Sequence, residues 1–125
     1  MRILLDTHVF LWAVTNDPKL SQTAQQLILD AEEVFISAAS IWEISIKAGL
    51  DKIEVDVDEL IAEITAAGFR ELPVTNTHAA AVRHLPNHHR DPFDRLLVAQ
   101  AITEPLRLLS ADEHVWKYSD LVIRV

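Results

Sequence analysis

Short apolar runs, each closed by a polar residue and followed by a segment of helical period, constrain this chain more than any other feature. Ile3-Leu4-Leu5 and Val34-Phe35-Ile36 contain no polar residue at all. A strand solvated on one face alternates apolar with polar; one covered on both faces reads as a continuous apolar run, as in a parallel sheet. The pattern predicts strands at Arg2–Leu5, Val34–Ile36, Phe69–Val74, Leu106–Leu109 and Leu121–Val125. Between them it predicts helices over Thr7–Val14, from Lys19 or Ser21 to Ala31, and over Ala38–Ala48, capped by Ser37 and ended by Gly49. Further helices run from Asp56 to near Gly68, over Thr77–Leu85, and from Asp91-Pro92 to about Thr103. Strands alternating with helices specify an α/β fold: three α/β/α layers around a central, mainly parallel sheet of about five short strands.

Size and composition agree. A chain of 125 residues, half of them hydrophobic, is expected to form a single domain over residues 1–125 with a core large enough to fold without disulfides. The absence of cysteine excludes a disulfide scaffold, a thiolate zinc site and thiol catalysis. No stretch approaches the roughly 18 consecutive apolar residues of a membrane span, and the start lacks the pattern of a signal peptide. A soluble, cytoplasmic protein with no membrane partner is the expectation. A net charge of −8 argues against a nucleic-acid binder driven by charge alone. It leaves open an enzyme that meets nucleic acid through bound cations, which reverse the local sign. The acids between Asp51 and Glu63 read as a solvated face.

The remaining acids stand where strands end. Asp6 closes the first run, and Asp112 repeats that arrangement after Leu108-Leu109-Ser110-Ala111. Glu43 lies about two turns into the helix after the second run, three residues beyond Ser40 and so on its face. Asp91 precedes Pro92, which suits the first helical position, and Asp94 falls where the acid of a capping box falls. Each acid also has a local explanation. Asp6, Asp91 and Asp112 can cap helices, and Glu43 can pair with Lys47 one turn on. Capping and cation binding are compatible, because a carboxylate offers several lone pairs.

Jointly the acids follow strands one, two and four, or open a helix beside them, and in a parallel sheet those ends share one edge. Like charges gathered there are costly unless a cation neutralises them. An all-oxygen ligand set favours Mg²⁺ or Mn²⁺ over zinc and commonly serves phosphoryl chemistry. Asp6, Glu43, Asp94 and Asp112 are therefore candidate metal ligands and catalytic residues. Ser110 is placed either to cap or to position a neighbouring carboxylate.

Other polar and aromatic residues are less decisive. His88 and His89 read as surface or rim residues of a polar loop, Pro86 to Arg90, and His8 as a cleft or helix-surface residue. Trp12, Trp42 and Trp116 suit core packing, dimer contact or base stacking. Leu11 and Trp12 on the early helices are candidates for a partner surface, or for the core. Arg2, Lys47, Arg83, Arg90 and Arg95 are candidates for local contacts with an anionic ligand.

Leu4-Leu5-Asp6-Thr7-His8, Ser40-x-x-Glu43, the stretch from Asp91 to Ala101 and Leu109-Ser110-Ala111-Asp112 together resemble PIN-domain proteins, most of all the VapC-type toxins of bacterial toxin–antitoxin pairs. The likeness spans nearly the whole chain in order, and Asp91–Ala101 is its most specific part. It implies a Mg²⁺-dependent endoribonuclease that cleaves RNA phosphodiesters to 5′-phosphate and 3′-hydroxyl ends and is held inactive by a VapB-type antitoxin. A homodimer is the expected assembly, with the early helices as its candidate face. By position, Asp6, Glu43 and Asp94 match the family's metal-site acids. Asp112 stands at a fourth position where many members carry Asn with a further acid three residues on; here that later residue is Val115. The competing expectation is a catalytically weak or inactive PIN-like module that binds RNA or protein. A phosphoacceptor or phosphatase is disfavoured, because no Lys follows the strand that ends near Leu109.

Overall fold

The computed structural model describes all residues from Met1 to Val125. Five strands, β1 (Arg2–Leu5), β2 (Glu33–Ser37), β3 (Arg70–Leu72), β4 (Arg107–Ser110) and β5 (Val122–Arg124), form one sheet in the order β3-β2-β1-β4-β5. Every pairing is parallel, so the sheet is wholly rather than mainly parallel. The helices are α1 (Thr7–Val14), α2 (Gln22–Asp30), α3 (Ala38–Gly49), α4 (Val57–Ala66), α5 (Asn76–Ala81), α6 (Pro92–Thr103) and α7 (Glu113–Trp116).

The apolar runs behave as two-sided strands. Ile3, Leu5, Val34, Ile36 and Leu109 enter one core, with Val9 and Phe10 of α1, Ala24 of α2, Ile44 of α3 and Leu60 and Ile64 of α4. The alternate residues Leu4, Phe35, Leu72 and Leu108 enter the other, with Leu97, Val98 and Ala101 of α6 and Val115 of α7. The chain steps outward from β1 to β3 and then returns across the sheet to β4 and β5. Right-handed crossovers made in opposite directions put their helices on opposite faces, which accounts for the two cores.

Two expected elements are shorter than their apolar pattern. The third strand covers only Arg70–Leu72 of the expected Phe69–Val74, because Pro73 cannot donate to the ladder. The helix expected over Thr77–Leu85 starts one residue earlier at Asn76, capped by Thr75, and gives way after Ala81 to a single 3₁₀ turn, Val82–His84.

The strand order has one functional consequence. The direction of strand addition reverses between β1 and β4, and open α/β sheets bind ligands outside the carboxyl ends of the strands at such a point. Asp6 follows β1 there, and Ser110 ends β4.

Candidate metal centre

Four of the helices that begin at or beside the carboxyl edge of the sheet are capped by side chains near the strand-order reversal. The Val9 N–H donates to Asp6 at 2.8 Å, the Ala39 N–H to Ser37 at 3.0 Å, and the His114 N–H to Asp112 at 2.8 Å. Asp91 accepts from Phe93 at 2.9 Å and Asp94 at 3.1 Å. These caps are local, so the sequence prescribes them. Their gathering is tertiary. The Asp6 N–H donates to the Leu109 carbonyl of β4, and the buried Thr7 hydroxyl donates to Ser40 of α3 at 3.0 Å. The Ser40–Glu43 face of α3 thus points back over the strand ends.

Asp6 and Glu43 are each only 5% exposed. Burial pushes the Asp6 carboxyl above its usual range; the Ser110 hydroxyl, the Val9 N–H and His8 counter the rise, and Asp112 adds to it. Ser110 meets both expected roles, since it also accepts the Asp112 N–H at 3.1 Å. Glu43 does form the expected pair with Lys47, at 2.8 Å, but the pair is no surface ornament: only Oε2 takes part, and Oε1 is buried with no partner. An unsatisfied buried carboxylate oxygen is expensive.

Asp94 forms no capping box. Its carboxylate instead meets the ring of His89, with Nε2 and Oδ2 2.9 Å apart. Burial raises its pKa to about 7, reinforced by the negative charges of Asp91, Asp6 and Glu43 and opposed by the His89 hydrogen bond. Besides Asp91 of its own helix cap, Asp94 therefore senses acids from two other segments of the chain, Asp6 after β1 and Glu43 of α3. Asp112 closes the group, half-buried; it shares a 220 Å³ cleft with Asp6, His8, Trp12 and Ala111. Ligand atoms of His89, Asp94 and Asp112 all lie within 4.8 Å of one another.

His89 is the residue that sequence reasoning missed. As a rim residue it stands where expected, yet its partner is Asp94 rather than solvent. The available signal was the chain reversal at Asp91-Pro92, which folds the residues just before a helix back over its first turn. The loop is clamped in that position. Arg95 donates to the carbonyls of Pro86 at 3.0 Å and Val82 at 3.3 Å, and the Tyr118 hydroxyl donates to the His89 carbonyl at 3.0 Å.

That clamp removes Arg95 from the candidate anion contacts. Arg2 is removed as well: it lies at the opposite edge of the sheet, paired with Glu33. Among the tryptophans, Trp12 packs against the core and Trp116 donates to the Ser110 carbonyl at 2.7 Å. Trp42 is instead 59% exposed and stacks edge-on against Phe93. Leu11 also packs against the core; large exposed apolar groups lie instead at Leu29 of α2 and, grouped on α3 and just beyond it, at Trp42, Ile46 and Leu50. No helix is long and apolar enough to cross a membrane.

The profile of the PIN domain matches residues 3–121. This chain belongs to the PIN-domain family. Ribonuclease VapC22 of Mycobacterium tuberculosis is 32% identical to this PIN domain over 115 residues, 90% of this chain and 88% of the relative. Among solved structures, VapBC2 from Rickettsia felis bound to a DNA fragment from its promoter aligns with a TM-score of 0.69 at 16% identity, covering 100% of this chain and 98% of that one. A toxin–antitoxin complex from Klebsiella pneumoniae aligns with a TM-score of 0.67 at 16% identity, covering 97% and 95%. At those identities the structural likeness is one of fold, and the fold is the three-layer α/β/α arrangement of the PIN domain.

Proposed function

We propose that this PIN domain is a Mg²⁺-dependent endoribonuclease, the toxin of a VapBC-type toxin–antitoxin pair. The observation that carries the proposal is the gathering of Asp6, Glu43, Asp94 and Asp112 at the strand-order reversal, with Glu43 Oε1 buried and unpartnered. The similarity to Ribonuclease VapC22 supports RNA as the substrate, and the fold shared with toxin–antitoxin complexes supports a VapB-type antitoxin as partner.

The donor set fits a hard divalent cation: carboxylate oxygens, no sulfur, and one oxygen left unpaired in the interior. Asp6 and Asp94 would hold the ion directly, Glu43 would reach it through Oε1 or through water, and Asp112 would complete the pocket. When bound, Mg²⁺ supplies activation of water and charge neutralisation for in-line attack on an RNA phosphodiester, giving 5′-phosphate and 3′-hydroxyl ends. The chain's own part is positioning. Capping fixes the Asp6 carboxylate, the Lys47 pair fixes Glu43, and the contact with the His89 ring fixes Asp94. Lys47 also leaves Glu43 one free oxygen with which to orient an attacking water.

The partner readings follow from the same surface. An antitoxin that inserted an Arg or Lys among the acids would occupy the charge the cation needs. Trp42, Ile46 and Leu50 offer exposed apolar contact for a homodimer or for the antitoxin. RNA would be met locally, through Arg90 on the loop beside the site, rather than by a broad basic face. A cytoplasmic location suits an RNA substrate.

The test is cleavage of a fluorogenic RNA by purified protein with Mg²⁺ and with EDTA, alongside Asp6→Asn. Activity that needs Mg²⁺ and vanishes in the variant, with an unchanged circular-dichroism spectrum, is expected. Equal cleavage by parent and variant would sink the site assignment. Binding of neither Mg²⁺ nor Mn²⁺ at millimolar concentration by calorimetry would favour a PIN-like binding module instead.

A further inference from the structure

Resting on the metal-centre reading above, we infer that His89 supplies a nitrogen ligand to that centre, making it a mixed nitrogen–oxygen site that supports turnover with Mg²⁺ but binds Mn²⁺ more tightly.

The geometry is that of a ligand pair. Two donors at adjacent corners of an octahedron with bonds of about 2.1 Å lie about 3 Å apart, and donors at opposite corners lie about 4.2 Å apart. His89 Nε2 and Asp94 Oδ2 are 2.9 Å apart, the spacing of adjacent corners. The donor atoms of His89, Asp94 and Asp112 all fall within 4.8 Å of one another, so closure on one ion needs movements of only about half an ångström. All three side chains are half-buried, which leaves them that freedom.

The histidine is also built into the wall rather than swinging over it. The Tyr118 hydroxyl donates to its carbonyl at 3.0 Å, and Arg95 ties the preceding loop to the body of the fold through Pro86 and Val82. Its ring stacks on His114 of α7, centroids 5.2 Å apart and planes 14° from parallel. Asp112 caps that same helix. The loop, the start of α6 and the start of α7 therefore form one assembled wall carrying a nitrogen and two carboxylates. A simple hydrogen bond from His89 to Asp94 would need neither the stacked histidine nor the double clamp.

Chemistry then sets the preference. Mg²⁺ retains oxygen ligands and binds imidazole poorly, whereas Mn²⁺ accepts both imidazole and carboxylate. The other acids near Asp94, Asp6 and Glu43, offer only oxygens, so the selectivity rests on this single side chain.

The experiment loads the full chain with Mn²⁺ and reads electron spin echo envelope modulation, in which a coordinated imidazole nitrogen gives a ¹⁴N signature. Calorimetry with Mn²⁺ and with Mg²⁺ gives the selectivity. The ¹⁴N modulation is expected in the parent, in His8→Gln and in His114→Gln, and absent in His89→Gln. The Mn²⁺-to-Mg²⁺ affinity ratio is expected to fall about tenfold in His89→Gln. Tight Mn²⁺ binding without ¹⁴N modulation would overturn the ligand role of His89 and leave the all-oxygen metal centre standing. Loss of the modulation in His8→Gln but not in His89→Gln would overturn it as well. Failure of the parent to bind Mn²⁺ at all would overturn the metal centre itself.

Discussion

The two edges of the same sheet treat their acids in opposite ways. At the amino edge the half-buried Glu33 lies between two solvent-exposed cations, Arg2 at 3.2 Å and Arg70 at 3.1 Å. At the carboxyl edge Asp6, Glu43, Asp91, Asp94 and Asp112 have a single lysine among them, Lys47, and it pairs with Glu43 alone. Asp6 and Asp94 have carboxyl groups pushed upward by burial, which marks a site held at a cost in stability. The amino edge is neutralised from within the chain; the carboxyl edge waits for a charge from outside it. Clustering of acids therefore signals a site only where the fold withholds the counter-charge.

Substitution breaks this contrast most sharply in activity. Asp6→Asn should lower Mg²⁺-dependent RNA cleavage by on the order of a thousandfold, the loss of several kcal/mol of transition-state stabilisation. Glu33→Gln should leave cleavage unchanged. A matching loss in both, measured on a fluorogenic RNA, would erase the difference between the edges.

Stability without metal should move in opposite directions at the two edges. In EDTA at pH 8, Asp94→Asn should stabilise the protein by roughly 2 kcal/mol, because it removes a charge that burial and its neighbours disfavour. Urea denaturation measures this, and a destabilised variant would contradict the strained-site account.

The pH dependence sharpens the same point. The native Asp94 carboxyl, raised to about 7, holds a proton that the unfolded chain, at 3.8, has already released. Between those values the native state binds more protons, so this group's contribution to stability is present at low pH and lost as pH rises toward 7. Saturating Mg²⁺ should flatten that slope at neutral pH, since the cation then replaces the proton, and its affinity should weaken below about pH 7. A slope identical with and without Mg²⁺ would mean that the ion binds elsewhere.

The smallest effect belongs to the amino edge. Glu33→Gln should destabilise by at most about 1 kcal/mol, and 0.5 M salt should remove most of the difference, as expected for exposed pairs. A larger, salt-resistant loss would show that this edge too does more than solvate charge.

Much of the fold was legible because its signals are local. Ile3-Leu4-Leu5 and Val34-Phe35-Ile36 declared strands buried on both faces, and both cores receive them as alternation requires. The caps at Asp6, Ser37, Asp91 and Asp112 each accept an N–H from a residue two or three positions on, so residue type and spacing suffice to announce them. They also announced the acids at the strand ends, and with them Asp6, Glu43, Asp94 and Asp112 as one candidate group. The exceptions are equally local in cause: Pro73 cut the third strand short, and the 3₁₀ turn at Val82–His84 ended a helix that its composition would have continued.

What periodicity alone did not reveal lies between distant parts of the chain. The order β3-β2-β1-β4-β5 places Asp6 beside β4, and nothing in a strand's own pattern names its neighbour. The Tyr118 hydroxyl reaches the His89 carbonyl across 29 residues, and that reach converts a rim histidine into part of the site. The free oxygen of Glu43 is likewise a product of burial, since the Lys47 pair by itself describes an ordinary surface contact. Residue type and spacing settled which groups carry charge and where the backbone turns, because those are decided within a few bonds. The tertiary structure settled which charges go unneutralised, because desolvation and distance depend on every element packed around them.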